Sequence, residues 1–355
     1  MPMKTLLTSL LLCVLSASLN LQAQSFKYSD FTSVAGLALN GSAAQGSPVP
    51  PETATVLRLM DGFGSNGQAS SAWFDHLVPV ANGFTVNFTF NINTCVGGSC
   101  ADGFAFLVQN SATATGALGG FGGYLGYAYD DLHDVAGIDD SLAIEFDDFQ
   151  NGNFDDPNTH HLAAQSCGTA QNTANHLVCN LSLANIPFIL PDSTNHRVEI
   201  AYVPGNLYTT IDSRVLMTTP VDLSNLLSLN GGAAYIGFTA GAGSFGENSD
   251  ILNWSFSTRY NAFGTVISSS NPSDVGQPVT FTAIVKARFP GLNTPTGQVR
   301  FFDGSTLLAT VPLNAGQAAF TTSDLSVGSH NIRVAYSGDT IFNPSSLVPL
   351  TQVVQ

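Results

Sequence analysis

Positive charge and long apolar runs are what this chain has least of. Its 355 residues include only 10 Lys and Arg against 25 Asp and Glu, a net charge of −15. A surface this acidic repels phosphate, which excludes nucleic acid as a partner. Past Leu19 no segment offers the ~20 continuous apolar residues that a spanning helix needs, so no membrane insertion is expected. Charged residues of both signs together make up only 10% of the chain, and no phosphate loop, Ser-His-Asp nucleophile pattern or cofactor fingerprint occurs in it. Cysteine is also scarce, at five.

What is present begins with Lys4, the apolar run Leu6 to Leu19 and a small-residue site ending at Ala23. This is the pattern of a secretory signal peptide over residues 1–23, which implies a secreted or cell-surface protein. Cys13 is a poor lipoprotein site, because Leu12 stands where a small residue is expected. Four cysteines then remain in an oxidising compartment, in the local pairs Cys95 with Cys100 and Cys167 with Cys179. Pairing by proximity is the simplest connectivity, and the Gly97-Gly98 turn eases the first closure. Neither pair has the tight spacing of a zinc site.

The length suggests two domains. Period-two alternation recurs at Phe84 to Phe90, Ala143 to Phe146, Arg197 to Tyr202, Ala234 to Phe238 and Leu252 to Phe256, separated by Gly, Asn, Asp and Pro turns, with no long amphipathic helix. That texture predicts an all-β sandwich. From residue 261 the texture changes: Gly276 to Ala283 reads as turn and strand, Gly297 to Gly304 as a strand entering an Asp-Gly hairpin, and Gly328 to Tyr336 as another strand. Residues 261–355 have the length and strand density of one immunoglobulin-like sandwich. Through Pro295 to Phe302 and Val334 to Asp339 they resemble the bacterial Ig-like repeat families, which implies a spacer or docking module.

The chemistry concentrates between residues 145 and 161. On a strand Glu145 and Asp147 point to one face, and the following loop offers Asn151, Asp155, Asp156, His160 and His161. Carboxylates with an amide oxygen suit calcium, and an added imidazole suits manganese or another first-row metal. In order and spacing, Glu145, Asp147, Phe149, Asn151, Asp156, Pro157 and His161 resemble the metal segment of the legume-type (L-type, concanavalin A-like) lectins. Upstream, Cys100 to Leu107 resembles the family's Ala-Asp-Gly strand start and Gly122 to Gly126 its glycine loop; downstream, Tyr235 to Phe238 and Asp250 to Phe256 match its closing strands.

The resemblance implies a concanavalin A-like jelly roll over residues 24–260, binding sugar with Ca2+ and Mn2+ and performing no catalysis. Glu145, Asp147, Asp156 and His161 would hold the transition metal, with Asp147 and Asp156 bridging to calcium; Asn151 and the Phe149 carbonyl would complete the calcium ligands. Spacing selects Asp156 over Asp155 and His161 over His160. Toward a glycan, Asp102 would accept from two hydroxyls, Asn151 and the Gly123 N–H would donate and the Phe149 ring would stack, with Gly243 and Ser244 in the variable loop Gly241 to Glu247. The peptide before Asp102 would be cis. Glycans or polysaccharide are the expected partners, and a homo-oligomer is compatible with the fold.

This chain departs from the family after His161, where Leu162, Ala163, Ala164 and Gln165 replace Ile-Gly-Ile-Asp, and both cysteine pairs lie outside the plant pattern. Two other functions compete. Laminarinase-type glycosidases share the jelly roll and carry Glu-x-Asp-x-(x)-Glu, but here Gln150 ends the motif and cannot act as acid or base. A structural or adhesive surface protein that has lost sugar binding would also fit an Ig-like tail.

Overall fold

The computed structural model describes residues 25–50, 52–62, 67–188 and 190–355; the expected leader, with Cys13 and Ala23, lies outside them. Two eight-stranded antiparallel sheets form the first body. The sheet that carries the site runs Asn180–Asn185, His161–Gln165, Ser141–Asp147, Gly103–Gln109, Ala233–Ala242, Gln68–Phe74 and Leu37–Gly41, with Val78–Pro79 beside Ala233–Ala242. The back sheet centres on Phe84–Val96, flanked by His196–Val203 and Gly246–Ser257. Each alternating segment read from the sequence lies within one of these strands. The α-helical content of the described residues is one turn, Leu223–Leu226, capped by the Asp222 side chain. No helix among them is long and apolar enough to cross a membrane.

Period-two alternation explains the packing. Along Gly103–Gln109, Phe104, Phe106 and Val108 enter the core between the sheets, where Phe104 stacks on Phe146 at 4.7 Å and Phe88 meets Phe238 edge-on at 5.0 Å. Ala105 and Leu107 point the other way, into a smaller core with Tyr124, Leu125, Tyr127 and Ile138 from the long loop that covers the site sheet. The strand Ser141–Asp147 is therefore buried on both faces. Its Leu142, Ile144 and Phe146 join the main core, which leaves Ala143, Glu145 and Asp147 beneath the loop.

The last strand of the first body ends at Ser257 and the first of the second begins at Ala262. The second body packs a three-stranded sheet against a five-stranded one around Phe281, Val299, Phe301, Ile332 and Val334. Asp303 pairs with Thr306 across the turn that contains Gly304 (φ +56°), the hairpin expected from the Asp-Gly signal.

Candidate functional site

The acidic segment folds back on itself as a hairpin. Ser141–Asp147 pairs with His161–Gln165 so that Asp147 faces His161 and Glu145 faces Ala163. Between them the chain makes a single 3-10 turn, Gly152–Phe154, and reverses at Asp155 in the left-handed region. The turn buries Asp156 and leaves Asp155 exposed, bonded through Oδ2 to Asn175. Register likewise separates the adjacent histidines: His161 is fully buried among the acids, while His160 turns to the other face near Asp148. Donor atoms of Asp147, Asp156 and His161 lie within 4.8 Å of one another, and so do those of Glu145, His161 and His176.

Short contacts hold this cluster in shape. Phe149 N donates to Asp147 Oδ1 (3.0 Å), Asn151 N to Asp156 Oδ2 (2.5 Å), and the Tyr127 hydroxyl to Glu145 Oε1. Glu145 Oε2 accepts no well-directed hydrogen bond, although His176 Nε2 stands 3.2 Å away. Burial, with repulsion from Asp156 and Glu145, pushes the Asp147 carboxyl well above the usual carboxylate range. Burial alone would lower the His176 imidazole, but Asp156 and Glu145 outweigh it and raise it to about 10. Burial also lowers the His161 imidazole. Three buried carboxylates this close repel one another, a repulsion that a cation between them would relieve. Carboxylate oxygens with imidazole nitrogen are the donor set of a divalent first-row metal, and an amide oxygen suits calcium. Asn151 Oδ1 is such an oxygen, buried and without a protein partner. The residues present thus fit the two ions.

Asp102 lies beside the cluster. It follows a cis Ala101-Asp102 peptide and a loop that starts at the Cys95–Cys100 disulfide. Gly103 comes next, at φ +115°, and a Cβ there would meet the Phe146 carbonyl at 2.4 Å, so no other residue fits. The Asp102 carboxylate is only 4% exposed. Asn151 Nδ2 donates to its Oδ1 (3.2 Å) and Gly243 N to its Oδ2 (3.0 Å). Burial raises its pKa to about 6 against the Asn151 hydrogen bond, with Asp148 adding to the rise. Gly123 sits in the turn Gly122–Tyr124, where a Cβ would come 2.7 Å from the Asn151 amide. Phe149, half-buried, tilts against Phe245 at 5.7 Å, and Ser244 is exposed at the rim.

Asp102, Gly123, Phe149, Asn151, Gly243 and Ser244 therefore gather at one end of the site sheet, above Glu145, Asp147, Asp156 and His161. The disulfides Cys95–Cys100 and Cys167–Cys179 join the expected pairs. Sequence reasoning missed His176, Tyr127 and the buried pair Asp148 and Glu247. Glu247 accepts from Ser249 Oγ (2.7 Å), and burial lifts its carboxyl well above the ordinary range. Only the position of His176 inside the insertion Cys167 to Cys179, next to the metal strand, could have drawn attention to it.

A jelly roll with a two-part acidic cluster beneath a buried aspartate and three converging loops defines the lectin class of concanavalin A-like sandwiches. The legume lectin domain family matches residues 23–271, and the chain belongs to that family. The bacterial Ig-like domain (group 3) family matches residues 266–355. Among curated relatives, a lectin-like protein of Arabidopsis thaliana is 30% identical over 49% of this chain and 67% of its own length. The lectin alpha chain of Lablab purpureus is 25% identical over 72% of this chain and 88% of its own. Of solved structures, the Bauhinia forficata lectin in complex with GalNAc shares the fold at a TM-score of 0.52 and 22% identity, covering 66% of this chain and 98% of its own. Peanut lectin does so at 0.51 and 20%, covering 66% and 97%. These relatives are lectins, which are not catalysts. Gln150, where a glycosidase would need a carboxylic acid, is exposed and donates to the Asp156 carbonyl at 3.2 Å.

Proposed function

We propose that this chain is a secreted carbohydrate-binding lectin, that its site is built on Asp102 and Asn151, and that it depends on calcium and a transition metal. One observation carries the reading. The Asn151 amide gives a hydrogen to Asp102 and keeps its own oxygen buried and unpartnered beside the acidic cluster. A cation on that oxygen would order the loop from Phe149 to Asp156 and neutralise the acids. Asp147 and Asp156 would be shared by the two ions, Glu145 and His161 would complete the transition-metal position, and the Phe149 carbonyl would join Asn151 on calcium.

The residues above then meet the chemistry of a sugar, whose hydroxyls both donate and accept and whose ring has an apolar face. Buried Asp102 accepts from two hydroxyls in charge-assisted bonds, on the order of 1.5–3 kcal/mol each before ordering costs. Asn151 Nδ2 and the Gly123 N–H donate, the Phe149 ring offers a flat surface, and Ser244 sits where it would tune the choice of sugar. Gly243 serves by holding Asp102, since its N–H is bonded there. The leader over residues 1–23 supplies the export.

A glycan array probed with calcium and manganese, and again after complete chelation, tests the reading. The array signal is expected to vanish on chelation and in Asp102→Ala, while Asp102→Ala keeps its metals by elemental analysis. Undiminished binding by the metal-free protein would overturn the assignment.

A further inference from the structure

The insertion Cys167 to Cys179 reaches the acidic cluster. Its extended stretch turns alternate residues inward: Asn172, Ala174 and His176 are buried, whereas Leu177 and Val178 are exposed. Asn172 fastens the stretch from both sides, giving Nδ2 hydrogens to Ser141 Oγ (3.2 Å) and the Gln165 carbonyl (3.0 Å) and accepting from Tyr129 N (2.9 Å). Tyr127, already bonded to Glu145, also reaches the Thr173 carbonyl at 3.2 Å. The disulfide closes the base of the loop. The stretch that carries His176 is thus anchored at Asn172, at Thr173 and at the disulfide.

The two imidazoles are oriented alike. His161 Nδ1 lies 3.0 Å from the Asn158 carbonyl and His176 Nδ1 lies 3.2 Å from the Phe154 carbonyl, contacts that place a proton on each Nδ1 and turn each Nε2 inward. The Nε2 atoms face each other at 3.1 Å, and Glu145 Oε2 stands 3.2 Å from that of His176. Two bare lone pairs and a carboxylate oxygen repel at such distances, so either a proton or a metal ion lies among them. Ligands about 2.0–2.1 Å from one metal ion are themselves about 3 Å apart, which these donors already match.

We propose that His176 is a ligand of the transition-metal position, so that this position has two imidazoles and selects zinc or its late first-row neighbours over manganese. The inference rests on the reading of residues 145–161 as a metal segment, and it changes which ion belongs there. Imidazole nitrogen suits zinc, nickel and copper, whereas manganese prefers carboxylate and water and stands at the weak end of the divalent affinity order. Replacing water or carboxylate oxygen by a second imidazole moves the site toward the strong end.

The test uses the full chain, stripped of metal, saturated with calcium and offered limiting zinc and manganese together, with bound metal measured by elemental analysis. Zinc is expected to win at least tenfold, and His176→Gln is expected to shift the ratio toward manganese by at least tenfold. Copper-loaded wild-type protein, read by pulsed EPR, should show two coordinated imidazoles, a measurement that needs no variant to fold. One imidazole in that spectrum with an unchanged competition ratio in His176→Gln removes His176 from the site and leaves the metal segment standing. Calcium binding without a second metal until His176 is replaced would mean that its imidazolium neutralises the acids, and would equally overturn the proposal. If the wild-type chain takes up no divalent ion at all, the metal reading itself fails.

Discussion

At the scale of single residues, the site works by close approach. Gly123 is permitted beside Asn151 only because it has no side chain; a methyl group there meets the amide at 2.7 Å, tighter than any relaxed contact. Gly123→Ala is therefore expected to push the Asn151 amide off Asp102 and lower glycan affinity tenfold or more. Because the clash is local and at the rim, the melting temperature should move little; isothermal titration beside a thermal melt separates the two effects. Gly103→Ala is different in kind. Its Cβ strikes the Phe146 carbonyl inside the sheet at 2.4 Å, on a backbone with φ +115°, so it should destabilise the fold by more than about 2 kcal/mol in a denaturant titration.

At the scale of elements, the hairpin from Ser141 to Gln165 is where stability and binding meet. Glu145, Asp147 and Asp156 sit with His161 in one buried hairpin, where His176 stands 3.2 Å from both Glu145 and Asp156 and a cation would relieve the repulsion among the acids. Chelation is expected to lower the melting temperature and to expose residues 148–160 to protease; equal melting with and without chelator would show that the acids need no ion. A second element carries a pH signature. His330, on the strand Gly328–Tyr336, bonds the Ser326 carbonyl (2.8 Å) and Asp303 on the neighbouring strand (2.6 Å), and these raise its pKa. A raised imidazole stabilises the folded state fully below its unfolded value of about 6.5 and ceases to do so as pH rises through the folded value. His330→Gln should therefore cost stability at pH 5.5, by less than about 1 kcal/mol for a pair at the protein surface, and nothing at pH 9. Thermal melts at the two pH values check the sign.

At the scale of the whole molecule, the Ig-like domain is docked against the back sheet of the lectin domain. Its core continues into Ala201, Val203 and Tyr208 of that sheet. Tyr208 stacks on Phe289 at 4.8 Å, the Tyr260 hydroxyl donates to the Tyr202 carbonyl (2.7 Å), and Glu199 accepts from Asn261 (2.9 Å) and pairs with Arg288 (3.1 Å). Contacts this extensive make the tail a rigid extension of the sheet opposite the one that carries Asp102, in place of a free spacer. Phe289→Ala should remove about 3 kcal/mol from that junction. Calorimetry is expected to show a single unfolding transition in the wild type resolving into two in the variant, with glycan binding unchanged.

Much of this was legible in the residues. Period-two alternation marked the strands, because burying one face of a sheet imposes that period wherever the strand sits. The strand-then-loop spacing from Glu145 to His161 marked the acidic segment, because side chains on one strand face and on the loop after it keep a short sequence interval. Asp102 and Gly123 were legible only through their family motifs, since nothing local ties residue 102 to residue 151.

What the sequence determined by itself was the class of fold and the acidic segment, which follow from periodicity and short-range spacing, and the family, which follows from the resemblance of its motifs. Tertiary structure alone decided that His176 turns into the acidic cluster, that Gly243 holds Asp102 and that the second domain shares a core with the first. Each of these depends on where a loop lands after the sheets have packed, and no interval along the chain encodes that landing.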